Sequence, residues 1–211
     1  MSKSKVKKGF VQGIKDQFPT KVLVLIPIAV GINLVGGILA SGLKLPLFLD
    51  MIGTYISAAL AGPWVAALVG LLTNVFLALV SNPVYLPYAL VSIGVGLSVG
   101  FMMRAGLFNK IWGVFVIWIV SSVLSAAIAG TVTVFVFGGA TGATGASVVT
   151  ATLIAVTQRI IASVFASAMI QNLADRAVAL VIAYIILKNI PKRFRSQYSL
   201  DSMVQADNDE D

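Results

Sequence analysis

Long apolar runs, cut by short polar or Gly/Pro-rich breaks, make up most of this chain and set its predicted elements. The runs cover residues 22–40, 48–61, 63–80, 89–103, 111–137 and 172–187 and show little polar alternation. A helix that is apolar on every side is one surrounded by other helices or by lipid, and crossing a hydrocarbon core takes roughly 20 residues. The pattern therefore predicts an all-α integral membrane protein, a transmembrane bundle of about six helices. Gly62-Pro63-Trp64 marks a tight turn, and two prolines stiffen the stretch from Ser81 to Tyr88. Residues 148–171 fit less simply, because an apolar background there carries Thr150, Thr152, Thr157, Gln158, Arg159, Ser163 and Gln171. The expectation is an extra helix that dips into the outer leaflet or lines a cavity, followed by one last span over 172–187.

Composition strengthens the membrane reading. The chain has 211 residues, 58% hydrophobic and 11% charged, with a mean hydropathy of +0.97; a soluble globule of that make-up would expose a large apolar surface. No stretch reads as a cleaved leader, and the first long apolar run is expected to be a span. Charge then orients the bundle. Lys3, Lys5, Lys7, Lys8, Lys15 and Lys21 precede or open the first run, and Lys188, Lys192, Arg193 and Arg195 follow the last. By the positive-inside rule both termini are cytoplasmic, in a multi-pass protein of the cell membrane. The net charge of +7 thus reflects topology and contact with the lipid bilayer, with no nucleic acid as partner. Three regions follow: a basic cytoplasmic segment (1–20) with an amphipathic pattern at Phe10, Val11, Ile14 and Phe18, a membrane domain (21–195), and an acidic disordered tail (196–211).

The same inventory excludes much chemistry. Cysteine and histidine are absent, which removes disulfides, thiol nucleophiles, histidine metal ligands and histidine-dependent triads. Outside the tail only Asp16, Asp50 and Asp175 are acidic. The chain is expected not to be an enzyme and to carry no cofactor or metal.

Polar side chains within membrane reach gather toward the outer half: Asp50, Asn74, Asn82, Tyr85, Tyr88, Gln158, Arg159, Gln171, Asn172 and Asp175. Many hydrogen-bonding groups with few charges suit a neutral or zwitterionic polar solute held in a largely apolar pocket. Each position has a structural alternative. Asp50 is placed either to cap a helix or to touch a ligand. Thr73 and Asn74 are placed to bond between helices, and the tyrosines to anchor at an interface. The Gly138–Gly145 segment reads as a flexible linker or a lid. Arg159 must face a cavity, a carboxylate or headgroups, since facing lipid would be costly. On the first run, Ala29, Gly31, Gly36 and Ala40 are small enough for close helix approach, within the chain or against a second subunit.

Several of these stretches, in this order, resemble a known family. Phe48-Leu49-Asp50, a small-residue helix, Gly62-Pro63-Trp64 and Leu68-Val69-Gly70-Leu71-Leu72-Thr73-Asn74 are similar to the substrate-binding S components of energy-coupling factor (ECF) vitamin transporters. Gly138-Gly139-Ala140-Thr141-Gly142 followed by Asp175-Arg176 resembles the riboflavin-type branch, and the likeness extends to Pro191-Lys192-Arg193-Phe194. The resemblance implies capture of a water-soluble vitamin, a flavin, cobalamin or similar, outside the cell. It also implies ATP-driven uptake through a membrane coupling subunit and two cytoplasmic ATPases. S components often dock through an Ala-x-x-x-Ala pair on the first span. Here Ala29 is followed four residues later by Asn33, so the docking surface implied is Ala29, Gly31, Gly36 and Ala40. A self-sufficient secondary transporter or channel for a small polar solute is the alternative.

Overall fold

A computed structural model describes residue 14, residues 17–142, residues 145–191 and residue 198. The amphipathic pattern at Phe10 and Val11 and the acidic tail beyond Tyr198 lie outside the described residues. Among those described there are seven α-helices and no strand: α1 (Thr20–Gly42), α2 (Ile52–Ala61), α3 (Pro63–Val80), α4 (Ala89–Arg104), α5 (Ile111–Phe137), α6 (Gly145–Thr157) and α7 (Ile160–Asn189). Four of them, α1, α3, α5 and α7, are long and apolar enough to cross a membrane. Helices α2, α4 and α6 are apolar but shorter, with 10, 16 and 13 residues.

Polarity is distributed as lipid demands. Leu23, Leu79, Ile111 and Phe135 are exposed, whereas Asn33, Thr54, Thr73 and Asp175 are buried. Exposed apolar surface on this scale is stable where hydrocarbon is the solvent, and each helix satisfies its own backbone there. This is the architecture of a helical membrane protein.

The basic residues Lys21, Arg104, Lys110 and Lys188 fall at helix ends that share one end of the bundle. The α2–α3 turn lies at the same end. Gly62 takes φ 93°, a left-handed value that costs glycine little, and Pro63 fills the first helical position, where its missing N–H is no loss. A Cβ on Gly62 would meet Gln17 Oε1 at 2.8 Å and the Arg104 guanidinium at 3.0 Å. From this turn α3 and α4 run as a close pair, and a Cβ on Gly100 would come within 2.3 Å of the Pro63 backbone. The glycines of α4 thus set how near the two helices lie.

Three details differ from the sequence expectation. The second helix begins at Ile52, four residues later than the apolar run. Residues 45–51 are non-helical and Leu49 has φ 53°, because the Phe48 and Leu49 amides donate to Asp175 rather than to a helix. Asp50 consequently caps nothing: Met51 occupies the N-cap, without a side-chain cap bond. The last helix starts at Ile160, not near residue 172, and is 30 residues long, about 45 Å at 1.5 Å per residue. Residues 160–171 are therefore its first turns. The helix before it, α6, lies along those turns, with Thr150 Oγ1 2.8 Å from Ser167 Oγ and Gln171 Nε2 donating to the Ala146 carbonyl. Finally, three of the four small residues of α1 serve the chain itself. A Cβ on Gly53 would sit 2.0 Å from the Ala29 carbonyl, and one on Gly36 would sit 2.0 Å from that of Leu49. Ala40 is 1% exposed. Of the proposed docking set only Gly31 has open space beside it.

Candidate functional site

The end of the bundle opposite Lys21, Arg104, Lys110 and Lys188 holds a polar cavity, and α7 supplies its charged wall. Asp175 and Arg176 are both buried in that helix. Desolvating a charge is expensive, so each needs partners. Asp175 Oδ1 accepts the Phe48 and Leu49 amides, both at 2.8 Å, which explains why the chain stays unwound just before α2. Its Oδ2 lies 3.0 Å from Arg176 Nη1. Arg176 also donates through Nε to Ser125 Oγ at 3.0 Å and through Nη2 to Asn172 Oδ1 at 3.3 Å. A second carboxylate, Asp50, stands with Oδ1 3.9 Å from Arg176 Nη1, beyond hydrogen-bonding reach. One guanidinium thus faces two carboxylates.

The cavity encloses about 820 Å³ including its open mouth, of which about 90 Å³ admits the centre of a water-sized molecule. Its wall is mostly apolar, with hydroxyls paired to one another. Tyr88 bonds Thr133 at 2.7 Å, Thr141 bonds Ser147 at 2.7 Å, and Thr150 bonds Ser167. Tyr88 also stacks flat on Phe137, with ring centres 5.9 Å apart. Tyr85, in the short turn of 3-10 helix at Pro83–Tyr85, is bonded to Ser41; burial pushes its phenol up, so it faces the cavity as a neutral hydroxyl. Asn74 donates to the Gly70 carbonyl at 3.0 Å and to Ser92 Oγ at 2.7 Å, leaving its own carbonyl oxygen buried and without a partner.

Of the residues expected at a binding site, Asp50, Asn74, Tyr85, Tyr88, Gln171 and Asn172 line this cavity. The others lie elsewhere. Asn82 caps the 3-10 turn by accepting the Val84 amide at 3.0 Å. Asp175 stands behind Arg176 as its counter-ion. Gln158 and Arg159 are exposed at the α6–α7 break, where Gln158 takes φ 57°. Their polarity suits a chain reversal rather than the cavity wall. Arg176 was not among the expected site residues although it lines the cavity. An arginine inside a long apolar helix is signal enough to have marked it. Ser92, Thr133, Thr141, Ser147 and Thr150 were missed as well, and short hydroxyl residues in apolar helices carry no comparable signal. Among the described residues no group of three or more carboxylates could hold a metal ion.

Fold and cavity together define a class: a helical membrane protein with a polar chamber, charged on one wall, at the end opposite Lys21, Arg104, Lys110 and Lys188. Comparison carries the assignment no further, since no family model, curated protein or solved structure matches the chain.

Proposed function

We propose that this protein is the solute-capture subunit of an ECF-type importer, an S component, which takes a water-soluble vitamin or similar small polar molecule from outside the cell. The observation that carries the reading is the cavity. It opens opposite the end where Lys21, Arg104, Lys110 and Lys188 gather, against Lys44 and Arg159 in the loops at the mouth end, and by the positive-inside rule the more basic end faces the cytoplasm, so the opening faces outward. Its apolar wall with a few buried polar groups suits a compact polar solute. In this reading the chain is not an enzyme; a membrane coupling subunit and two ATPases drive uptake, six helical segments form the membrane bundle, and both termini are cytoplasmic. Because Ala29, Gly36 and Ala40 are engaged within the chain, docking against the coupling subunit falls to the open face of α1 around Gly31.

A secondary transporter is favoured by one observation, the buried carboxylates Asp50 and Asp175 beside Arg176, since ion-coupled carriers use such groups. Purified chain in proteoliposomes, offered a labelled mixture of water-soluble vitamins, separates the two. Capture alone predicts saturable binding of one solute per chain with no uptake under a proton or sodium gradient. Gradient-driven accumulation by the chain alone would sink the S-component reading. Orientation is checked separately: because the chain lacks cysteine, single cysteines at Lys44 and Ser81 should react with an impermeant thiol reagent on intact cells, and one at Gly106 should not.

A further inference from the structure

We infer that the cavity selects an organic cation rich in N–H groups, with Asp50 as the anionic partner of its charge and the Asn74 carbonyl as a second acceptor. This rests on the solute-capture reading and narrows its substrate. Four buried side-chain atoms among the described residues have no hydrogen-bond partner: Asp50 Oδ1, Asn74 Oδ1, Asp175 Oδ2 and Arg176 Nη1. The last two face each other as an ion pair at 3.0 Å. The two that remain are both acceptors, and both residues line the cavity. Asn74 is 1% exposed and Asp50 8%, and buried acceptors of this kind are costly unless something donates to them.

The orientation of Asn74 is fixed by chemistry. Its other amide atom lies 3.0 Å from the Gly70 carbonyl, which only an N–H can approach, so the oxygen must be the unpartnered end. The protein's own donors are not left open to the same degree. Arg176 already holds contacts to Ser125 and Asn172 and stands between the carboxylates of Asp175 and Asp50, so its charge is more than answered and it is a poor grip for an anionic solute. The cavity hydroxyls of Tyr88, Thr133, Thr141, Ser147 and Thr150 are paired. Charge agrees with hydrogen bonding. Asp175 is compensated by Arg176 and two amides, so Asp50 is the surplus carboxylate, and no other charged residue lines the wall. A solute that brings a positive nitrogen answers the surplus charge and both free acceptors together. A neutral or anionic ring edged with carbonyls would answer neither.

The test uses the purified full-length chain and a fixed equimolar mixture: thiamine, spermidine and agmatine as cations, riboflavin and nicotinamide as neutral molecules, pantothenate and nicotinate as anions. Native mass spectrometry reads which are retained, and calorimetry measures the retained one. Retention of a cation is expected, with Asp50→Asn weakening it roughly 10- to 100-fold and Asp50→Glu preserving the preference. Retention of a neutral or anionic member instead, or equal cation binding by folded Asp50→Asn, overturns the inference and leaves solute capture standing. Retention of nothing by the folded chain overturns both. Should Asp50→Asn fail to fold, the wild-type mixture and Asp50→Glu still decide.

Discussion

Asn33 and Asn74 are both asparagines buried in long apolar helices, and they are bonded in opposite ways. Asn33 donates to Thr54 and Thr73 at 2.9 and 3.0 Å and accepts the Gly53 amide at 2.7 Å. The Thr73 hydroxyl in turn donates to the Val69 carbonyl. That knot ties α1, α2 and α3 together. Asn74 follows Thr73 directly on α3 but turns toward α4 and the cavity, and its carbonyl oxygen accepts nothing. In a medium without water a closed polar set fastens helices, whereas an open acceptor costs stability until something donates to it. Burial and residue type are the same in both places; completeness of bonding is what separates scaffold from site.

The comparison can be broken most forcefully at Arg176. Arg176→Met leaves Asp50 and Asp175 facing each other without a counter-charge, and losing one member of a buried pair costs on the order of 3–5 kcal/mol. Denaturant titration in mild detergent should show a large loss of stability; wild-type stability would mean that the carboxylates are neutral as they stand. Next in size is Asn33→Ala, which leaves the Gly53 amide unbonded and should cost about 1–3 kcal/mol. Melting temperature should drop while solute bound per folded molecule is unchanged, and the reverse result would exchange the roles of the two asparagines. Asn74→Ala should move stability by less, within about 1 kcal/mol, because an unsatisfied acceptor disappears along with two donor bonds. Its effect should appear in equilibrium binding of the solute that wild type retains. Smallest of all, Gln158→Ala and Arg159→Ala should stay within about 0.5 kcal/mol of wild type and bind as wild type does; a clear loss of binding would extend the site to the α6–α7 break.

The sequence made the long helices legible and the departures from them much less so. Helix α3 starts at Pro63 and α5 ends before Gly138, which takes φ 67°, because glycine and proline punctuate the chain through local sterics alone. The late start of α2 depends on Asp175, 126 and 127 residues away, and no local pattern in Pro46-Leu47-Phe48-Leu49 reports a partner that distant. The break at Gln158-Arg159 holds neither glycine nor proline, so the apolar run hides it. Ala29, Gly36 and Ala40 announce close packing, but small size does not say against what. Within the site, the polar positions Asp50, Asn74 and Asn172 stood out against an apolar background. Which acceptors would be satisfied was a matter of tertiary geometry.

One feature of the unwound stretch bears on how such a protein changes over evolutionary time. Phe48 and Leu49 secure Asp175 through main-chain N–H groups, which every amino acid except proline possesses. The anchor is therefore blind to the side chains that carry it. Phe48 lines the cavity, so its side chain can be exchanged to reshape the mouth while the charged wall behind stays in register. Leu49 is less free, since its φ of 53° favours glycine or asparagine over β-branched replacements. Recognition at this rim can drift in small steps without dismantling the foundation on which it rests.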